Sequence, residues 1–197
     1  MANIVTNIIK VYANEETLKS IDDRFENAGG YNDIAKFATS FYDSPDINES
    51  GALMNSWSLD HIGSKWAYVE NAIDEGEWNV ASANYPPHEF LQRLFELVTE
   101  LDPNGYIENR YNDETYSPVG VQVFKKDSNG VPKYSEDEDY DMENPTDDMD
   151  WDDEGYDDAQ SEFMDAIYDY HESSIQGCHD MIDMGDGKDF KVIEQVK

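Results

Sequence analysis

The amino-acid sequence predicts an α+β protein: an antiparallel sheet with helices on one face, followed by an acidic C-terminal extension that ends in a helix. Three observations predict this class. Short β-branched and aromatic runs alternate with helical patterns along the first two thirds of the chain. Hydrophobic residues make up 39% of the 197 residues, which is enough for a core. Acidic residues are concentrated late in the chain, so composition divides it into a domain over 1–133 and a docked acidic region over 134–197.

The chain begins with a predicted strand and two predicted helices. Residues 3–12 are rich in β-branched side chains and are bounded by turn-forming residues, which is typical of a strand. Asn14 is placed to cap a helix whose apolar residues recur every three to four positions, and Gly29-Gly30 ends it. A second helix is predicted over 33–42, because its aromatic and aliphatic residues share one face.

A short helix and a hairpin follow. Ser58 could cap a short helical turn that runs through His61. The runs 65–71 and 78–82 are aromatic and β-branched and enclose a glycine-bearing turn, so they predict a β-hairpin. A helix over 66–73 is the alternative for the first of these runs.

The clearest helix is predicted over His88–Leu101, directly after Pro86-Pro87, because its apolar residues form a wide stripe. Strands are predicted at 106–111 and 118–126, with a short final strand at 131–134. The resulting order β-α-(α)-β-β-α-β-β approximates the ferredoxin-like pattern, in which two helices pack on one face of an antiparallel sheet.

Several short motifs resemble those of a known group of proteins. They are Met1-Ala2-Asn3-x-Val5-Thr6-Asn7, Gly63-Ser64-Lys65-Trp66, the strand that leads to Pro86-Pro87, Asn109-Arg110-Tyr111 and Gly120-Val121. In these motifs the chain is similar, over roughly residues 1–127, to phage and plasmid proteins that carry a ferredoxin-like domain of unknown function. The resemblance implies this fold and a phage setting, but it implies no particular chemistry.

The net charge of the chain and its distribution indicate which kinds of partner to expect. The formal net charge is −32, and residues 134–187 contain 21 acids without one lysine or arginine. Such a field attracts basic proteins and repels phosphates, so we expect no direct nucleic acid binding. No run approaches the roughly 20 apolar residues of a membrane span, and residues 1–7 lack the features of a signal peptide. With a single cysteine, Cys178, the chain fits a reducing compartment, which we expect to be the host cytoplasm.

The acidic run from 136 to 158 is the candidate partner-binding site, because aromatic residues are interleaved with its carboxylates. A solvated linker that only raises solubility is the alternative reading, although a linker has no need of tryptophan. The expected partner is a basic host protein, an enzyme acting on nucleic acid. The candidate residues are Asp137, Asp139, Tyr140, Asp141, Asp147, Asp148, Asp150, Trp151, Asp152, Asp153, Glu154, Tyr156, Asp157 and Asp158.

A C-terminal helix is predicted from Ala159 to about Ile182. Its apolar residues form one stripe, while Glu162, Asp165, Asp169 and Glu172 face outward. We expect the stripe to dock on the protein's own core. A homodimer interface or a groove on a partner remains the alternative.

Signals for catalysis or for a metal are weak, so we expect a protein that is not an enzyme and has no cofactor and no metal site. Asp150-x-Asp152-x-Glu154-Gly155 matches the start of an EF-hand loop, but Ser161 stands where a bidentate glutamate is needed. His171, Cys178 and His179 are metal-ligand types, yet a structural zinc site needs four ligands. No serine and histidine have a spacing that fixes a nucleophile and its base.

Overall fold

The computed structural model describes residues 3–146 and 149–190. Seven strands and five helices lie in these ranges. The strands are β1 (Ile4–Tyr12), β2 (Ala67–Asp74), β3 (Glu77–Ala83), β4 (Tyr106–Asp113), β5 (Val119–Lys126), β6 (Pro132–Asp139) and β7 (Lys188–Asp189). The helices are α1 (Glu15–Ala28), α2 (Ile34–Phe41), α3 (Asn55–His61), α4 (His88–Leu101) and α5 (Tyr156–Met184).

All seven strands form one open sheet in the order β2-β3-β1-β4-β5-β6-β7. Each neighbouring pair is antiparallel, with Ile9 opposite both Trp78 and Asn109 at the centre of the sheet. The prediction of an α+β protein with an antiparallel sheet is therefore confirmed. β2 is the last strand at one edge, and it contains two register shifts against β3.

The main core lies between the sheet and helices α1, α2 and α4. Phe25 on α1 stacks on Trp78 with their ring centroids 4.0 Å apart, and Phe90 on α4 meets Phe41 edge to face. Both Phe25 and Trp78 are almost completely buried. Burial of several aromatic and aliphatic side chains at this one interface supplies the main favourable free energy for the fold.

Helix α5 covers the opposite face of the sheet. Successive side chains of a strand point to opposite faces, and β5 shows both sides of this alternation. Phe124 joins the main core, whereas Val121 and Val123 pack against Ile175 and Ile182 of α5. The apolar stripe of α5 therefore docks on the sheet of the same chain, as the sequence analysis expects.

Three sequence predictions change in detail. Ser58 does not cap α3 but lies inside it, because the helix begins at Asn55 after Met54. The alternative of a helix over 66–73 is wrong, because Ala67–Asp74 is a strand paired with β3. The strand predicted at 131–134 extends to Asp139, so the first acids of the run are strand residues and the proposed boundary after 133 falls inside β6. No helix in the described ranges has the length and apolarity to cross a membrane.

Candidate functional site

The acidic segment 134–187 is divided among three structural settings. Its first residues belong to β6, a connection runs from there to Gly155, and α5 takes up Tyr156–Met184. The segment is therefore attached to the sheet at both ends, by strand pairing at one end and by helix packing at the other.

The carboxylates of β6 are tied to neighbouring side chains. Glu136 accepts hydrogen bonds from Lys188 at 2.6 Å and from Gln122 at 3.3 Å. Burial acts to raise the pKa of Glu136, but these two hydrogen bonds outweigh it and hold that pKa below its ordinary value. On the other side of the strand, Asp137 accepts a hydrogen bond from the Ser174 hydroxyl of α5 at 2.6 Å. These acids join β6 to its surroundings.

The connection between β6 and α5 carries two exposed aromatic residues of the acidic segment. Trp151 is 82% exposed and Tyr140 is 60% exposed. A hydrogen bond to the carboxylate of Glu138 raises the pKa of Tyr140, so its hydroxyl stays protonated. Tyr156, in contrast, is half-buried as the first residue of α5. Two of the three predicted aromatic contacts are thus available to a partner.

Helix α5 presents a row of carboxylates on its outward face. Asp158, Glu162, Asp165, Asp169 and Glu172 follow one another at intervals of three or four residues, and all five are exposed. Because an α-helix rises about 1.5 Å per residue, neighbours in this row are about 5–6 Å apart along the helix axis. We call these five residues the α5 acidic row. Within the described residues, Glu162, Asp165 and Asp169 have no basic side chain at ion-pair distance.

Ion pairs from the sheet hold the C-terminal half of α5. Arg110 of β4 pairs with Glu172 at 2.8 Å, and Lys125 of β5 pairs with Asp183 at 2.8 Å. Each pair joins a side chain that is mostly buried in the sheet to an exposed carboxylate on the helix. Arg110 and Lys125 are therefore matched by acids in the C-terminal half of α5, whereas Glu162, Asp165 and Asp169 have no ion-pair partner in the described part of the chain.

A buried carboxylate links β4 to α5 beside these pairs. Glu108 is 5% exposed, accepts a hydrogen bond from the Tyr12 hydroxyl at 3.0 Å and lies 2.9 Å from Nε2 of His179. Burial acts to raise the pKa of Glu108, but the hydrogen bonds of His179 and Tyr12 and the charge of Arg110 hold it below its ordinary value. The cluster lines a cavity of about 460 Å³ between the sheet and α5. Its polar groups satisfy one another, so we read it as a link that fixes α5.

Sequence reasoning did not single out this link. Glu108 and Arg110 are two positions apart on a strand, so they share one face, and this spacing was the only signal in the sequence.

The fourteen predicted partner-binding residues are spread over the three structural settings of the acidic segment. Asp137 and Asp139 lie on β6, and Tyr156, Asp157 and Asp158 begin α5. The other predicted residues fall between these two elements in the sequence, and two of them, Asp147 and Asp148, lie outside the described residues.

The serine, histidine and cysteine residues considered as catalytic or metal-binding groups do not form a catalytic or metal-binding arrangement in the described part of the chain. Ser58 is fully buried, and His61 stacks on Trp57 while its Nδ1 lies 2.9 Å from the backbone carbonyl of Trp57. His171 and Cys178 are buried against the sheet. Residues 3–146 and 149–190 contain no group of three or more His, Cys, Asp or Glu side chains able to hold a metal ion.

Comparison with protein-family models, with curated proteins and with solved structures finds no match to this chain.

Proposed function

We propose that this chain is a phage-encoded inhibitor that acts by binding, and that its acidic surface occupies the basic, nucleic-acid-binding surface of a host enzyme. The target class is a restriction nuclease, a CRISPR effector or a DNA-modifying toxin in the host cytoplasm. The α5 acidic row is the single observation that carries the proposal. It is a line of exposed carboxylates on a helix that is fixed to a sheet, and its three central members, Glu162, Asp165 and Asp169, have no ion-pair partner among the described residues.

The phage setting and the finer fold description are part of the same proposal. The first four strands follow the order β2-β3-β1-β4, and helices enter the connections before β2 and before β4. This arrangement supports a ferredoxin-like unit that β5, β6, β7 and α5 extend. The phage setting rests on the motif resemblance over roughly residues 1–127.

The linear charge density of the α5 acidic row supports binding to a basic surface. DNA carries about one phosphate per 3.4 Å on each strand, whereas the row carries about one carboxylate per 5–6 Å. The row alone thus has about two-thirds of the charge density of one DNA strand. We therefore propose an acidic competitor for a basic surface, and the strict case of a DNA mimic requires carboxylates of the connection, such as Asp152 and Asp153, to add to the row.

Specific contacts would come from the exposed aromatic residues rather than from charge. Trp151 and Tyr140 flank the connection, and Tyr168, which is 62% exposed, lies on α5 between Asp165 and Asp169. Binding hot spots are enriched in tryptophan and tyrosine, while exposed charges chiefly steer association. Affinity should therefore fall with added salt without disappearing.

The experiment is affinity capture from a bacterial lysate with a charge-neutralised variant. The variant replaces three acids of the row, Glu162→Gln, Asp165→Asn and Asp169→Asn. Its matched control removes three exposed carboxylates between α2 and the end of α3, Asp46→Asn, Glu49→Gln and Asp60→Asn. Capture is carried out at about 50 mM salt, where charge interactions are weakly screened, and at about 300 mM salt, where they are strongly screened. The captured proteins are identified by mass spectrometry.

The proposal expects the wild-type chain and the control to capture the same nucleic-acid enzyme at low salt, with loss of most of it at high salt. The row variant should lose that enzyme at low salt, and a DNA duplex should compete with the wild-type chain for it. Equal capture by the row variant and the control would refute the proposal. Truncation after position 133 is a poorer test, because it would cut β6 and leave β5 paired on one side only, with β4.

The second candidate is a non-enzymatic interaction or assembly module whose acids only confer solubility. An aromatic cluster at the β2 edge favours it. Tyr31, which is 60% exposed, packs edge to face on Tyr68 at 4.8 Å, and Trp66 stacks beside Tyr68. For this module, Tyr31→Ala should abolish capture of the partner, while the row variant should keep it.

A further inference from the structure

A groove runs between α1 and β2, on the far side of the sheet from α5. It encloses a cavity of about 390 Å³. At its base lie Phe25 and Trp78, which stack on each other, and Val69. All three are buried, so they support the groove from below but offer it little accessible surface.

The rim of the same groove is acidic. Asp22 and Glu26 stand on the α1 side, and Glu70, Asp74 and Glu75 stand on the side of the β2–β3 hairpin. No lysine or arginine of the described residues lines the groove. Burial, together with the charges of Glu75 and Glu26, raises the pKa of Asp22, although the backbone N–H of Gly76 donates a hydrogen bond to it. The acids of the rim therefore repel one another, and a cation placed between them would relieve that repulsion.

The groove also follows an open edge of the sheet. β2 is the terminal strand, and among residues 3–146 and 149–190 its outer edge pairs with backbone only at Val69, where the N–H of Gly30 donates to the carbonyl of Val69 at 3.1 Å. Beyond that point, Asn71 and Ala72 border the groove, and both are exposed. An extended segment entering the groove would thus meet exposed strand backbone as well as the rim acids.

We propose that this α1–β2 groove binds an extended basic peptide segment, which pairs with the exposed edge of β2 and places the charged head of an arginine or lysine at the acidic rim. Arginine and lysine carry the cationic end that a rim of carboxylates attracts, on a stem long enough to reach the rim from a backbone that lies along β2. The proposal is independent of the α5 acidic row, which lies on the opposite face of the sheet.

Gly29 offers a way to block the groove without changing its charge. It lies at the mouth of the groove with φ −67° and ψ 147°, a conformation open to any residue, and a Cβ placed on it would meet nothing within 4 Å. Gly29→Phe should therefore fold normally while its ring fills the entrance. A second, charge-removing variant combines Glu26→Gln with Glu70→Gln, both at exposed positions.

The test uses the full-length protein and a fluorescein-labelled heptapeptide, Thr-Val-Arg-Val-Arg-Val-Thr, with binding followed by fluorescence anisotropy. The matched control, Asp46→Asn with Glu49→Gln, removes the same charge from exposed positions between α2 and α3, outside both the groove and the α5 acidic row. A peptide with glutamine at both arginine positions controls for backbone binding. Circular dichroism spectra confirm that each variant is folded.

We expect both groove variants to weaken binding of the arginine peptide at least about tenfold, the change that removal of a desolvated charge contact produces. The control should change it less than about twofold, as expected for loss of a distant, screened charge. The proposal is overturned if Gly29→Phe binds as tightly as the wild-type chain. It is equally overturned if the control weakens binding as much as the groove pair does, because bulk negative charge would then account for the affinity. Neither result bears on the α5 acidic row, which is tested by enzyme capture.

Discussion

His171 makes the stability of the fold depend on pH in a way that one substitution can isolate. Its side chain is 7% exposed on the buried face of α5, where the ring is hydrogen-bonded to the backbone of Tyr111 and its Nε2 has no partner. Burial lowers the pKa of His171 to about 4. In the unfolded chain a histidine titrates near 6.5, so the unfolded state binds a proton at a higher pH than the folded state does.

The sign and size of the effect follow from that difference. Stability is lost as the pH falls from 6.5 towards 4, because protons bind to the unfolded state first. At pH 5 the unfolded histidine is almost fully protonated and the folded one is mostly neutral. His171 should therefore lower the free energy of unfolding at pH 5 by about 2 kcal/mol relative to pH 7.5, by linkage between the two pKa values.

The assay is urea unfolding of the wild-type chain and of His171→Asn at pH 5.0 and pH 7.5. Asparagine keeps a donor near the position of Nδ1 but cannot titrate. All other groups titrate alike in both proteins, so the effect is read from the difference between their pH dependences. We expect the wild-type chain to lose about 2 kcal/mol more than the variant. Parallel pH dependences in the two proteins would refute a buried, neutral His171.

Three further substitutions test the packing and the exposed aromatic contact, with urea unfolding as the measurement for each. Ile182→Ala should lower the free energy of unfolding by about 2–4 kcal/mol, because Ile182 is completely buried against β5 and its truncation leaves a cavity. Gly120→Ala should cost about 1–3 kcal/mol, since a Cβ at position 120 would lie 2.5 Å from the ring of Tyr111. Trp151→Ala should change stability by less than about 0.5 kcal/mol, because the side chain is 82% exposed, yet it should reduce enzyme capture.

The elements with strong local signals were predictable from the sequence. Helix α4 has the predicted bounds, and Asn14 caps α1 by accepting a hydrogen bond from the N–H of Thr17. The apolar stripe of α5 predicted both the helix and the face that docks, because Ile175 and Ile182 are buried while Asp165 is exposed. In each case local periodicity and the tertiary contact agree, which is when pattern reasoning succeeds.

Other features depend on contacts distant in sequence, which no local pattern contains. β6 continues to Asp139 because β5 is a long paired neighbour, although an acidic run has low strand propensity. Asn109 is fully buried on the sheet, where its amide donates to Asn7 at 3.2 Å and to Gln122 at 3.3 Å. Three buried amides on adjacent strands look like exposed positions in the sequence, and hydrogen bonds to one another and to neighbours such as Ser82 and Glu136 make their burial favourable.

The α5 acidic row is better explained by binding than by folding. Like charges three or four residues apart on a helix destabilise it by about 0.2–0.5 kcal/mol per pair, and Glu162, Asp165 and Asp169 take part in four such pairs along the row. Replacing them by Gln, Asn and Asn should therefore raise the free energy of unfolding by about 1 kcal/mol, which urea unfolding at low salt would detect. If these acids serve a partner, the more stable variant is also the one that loses enzyme capture. A variant that is less stable than the wild-type chain would show that the row supports the fold, and would remove this argument for the inhibitor.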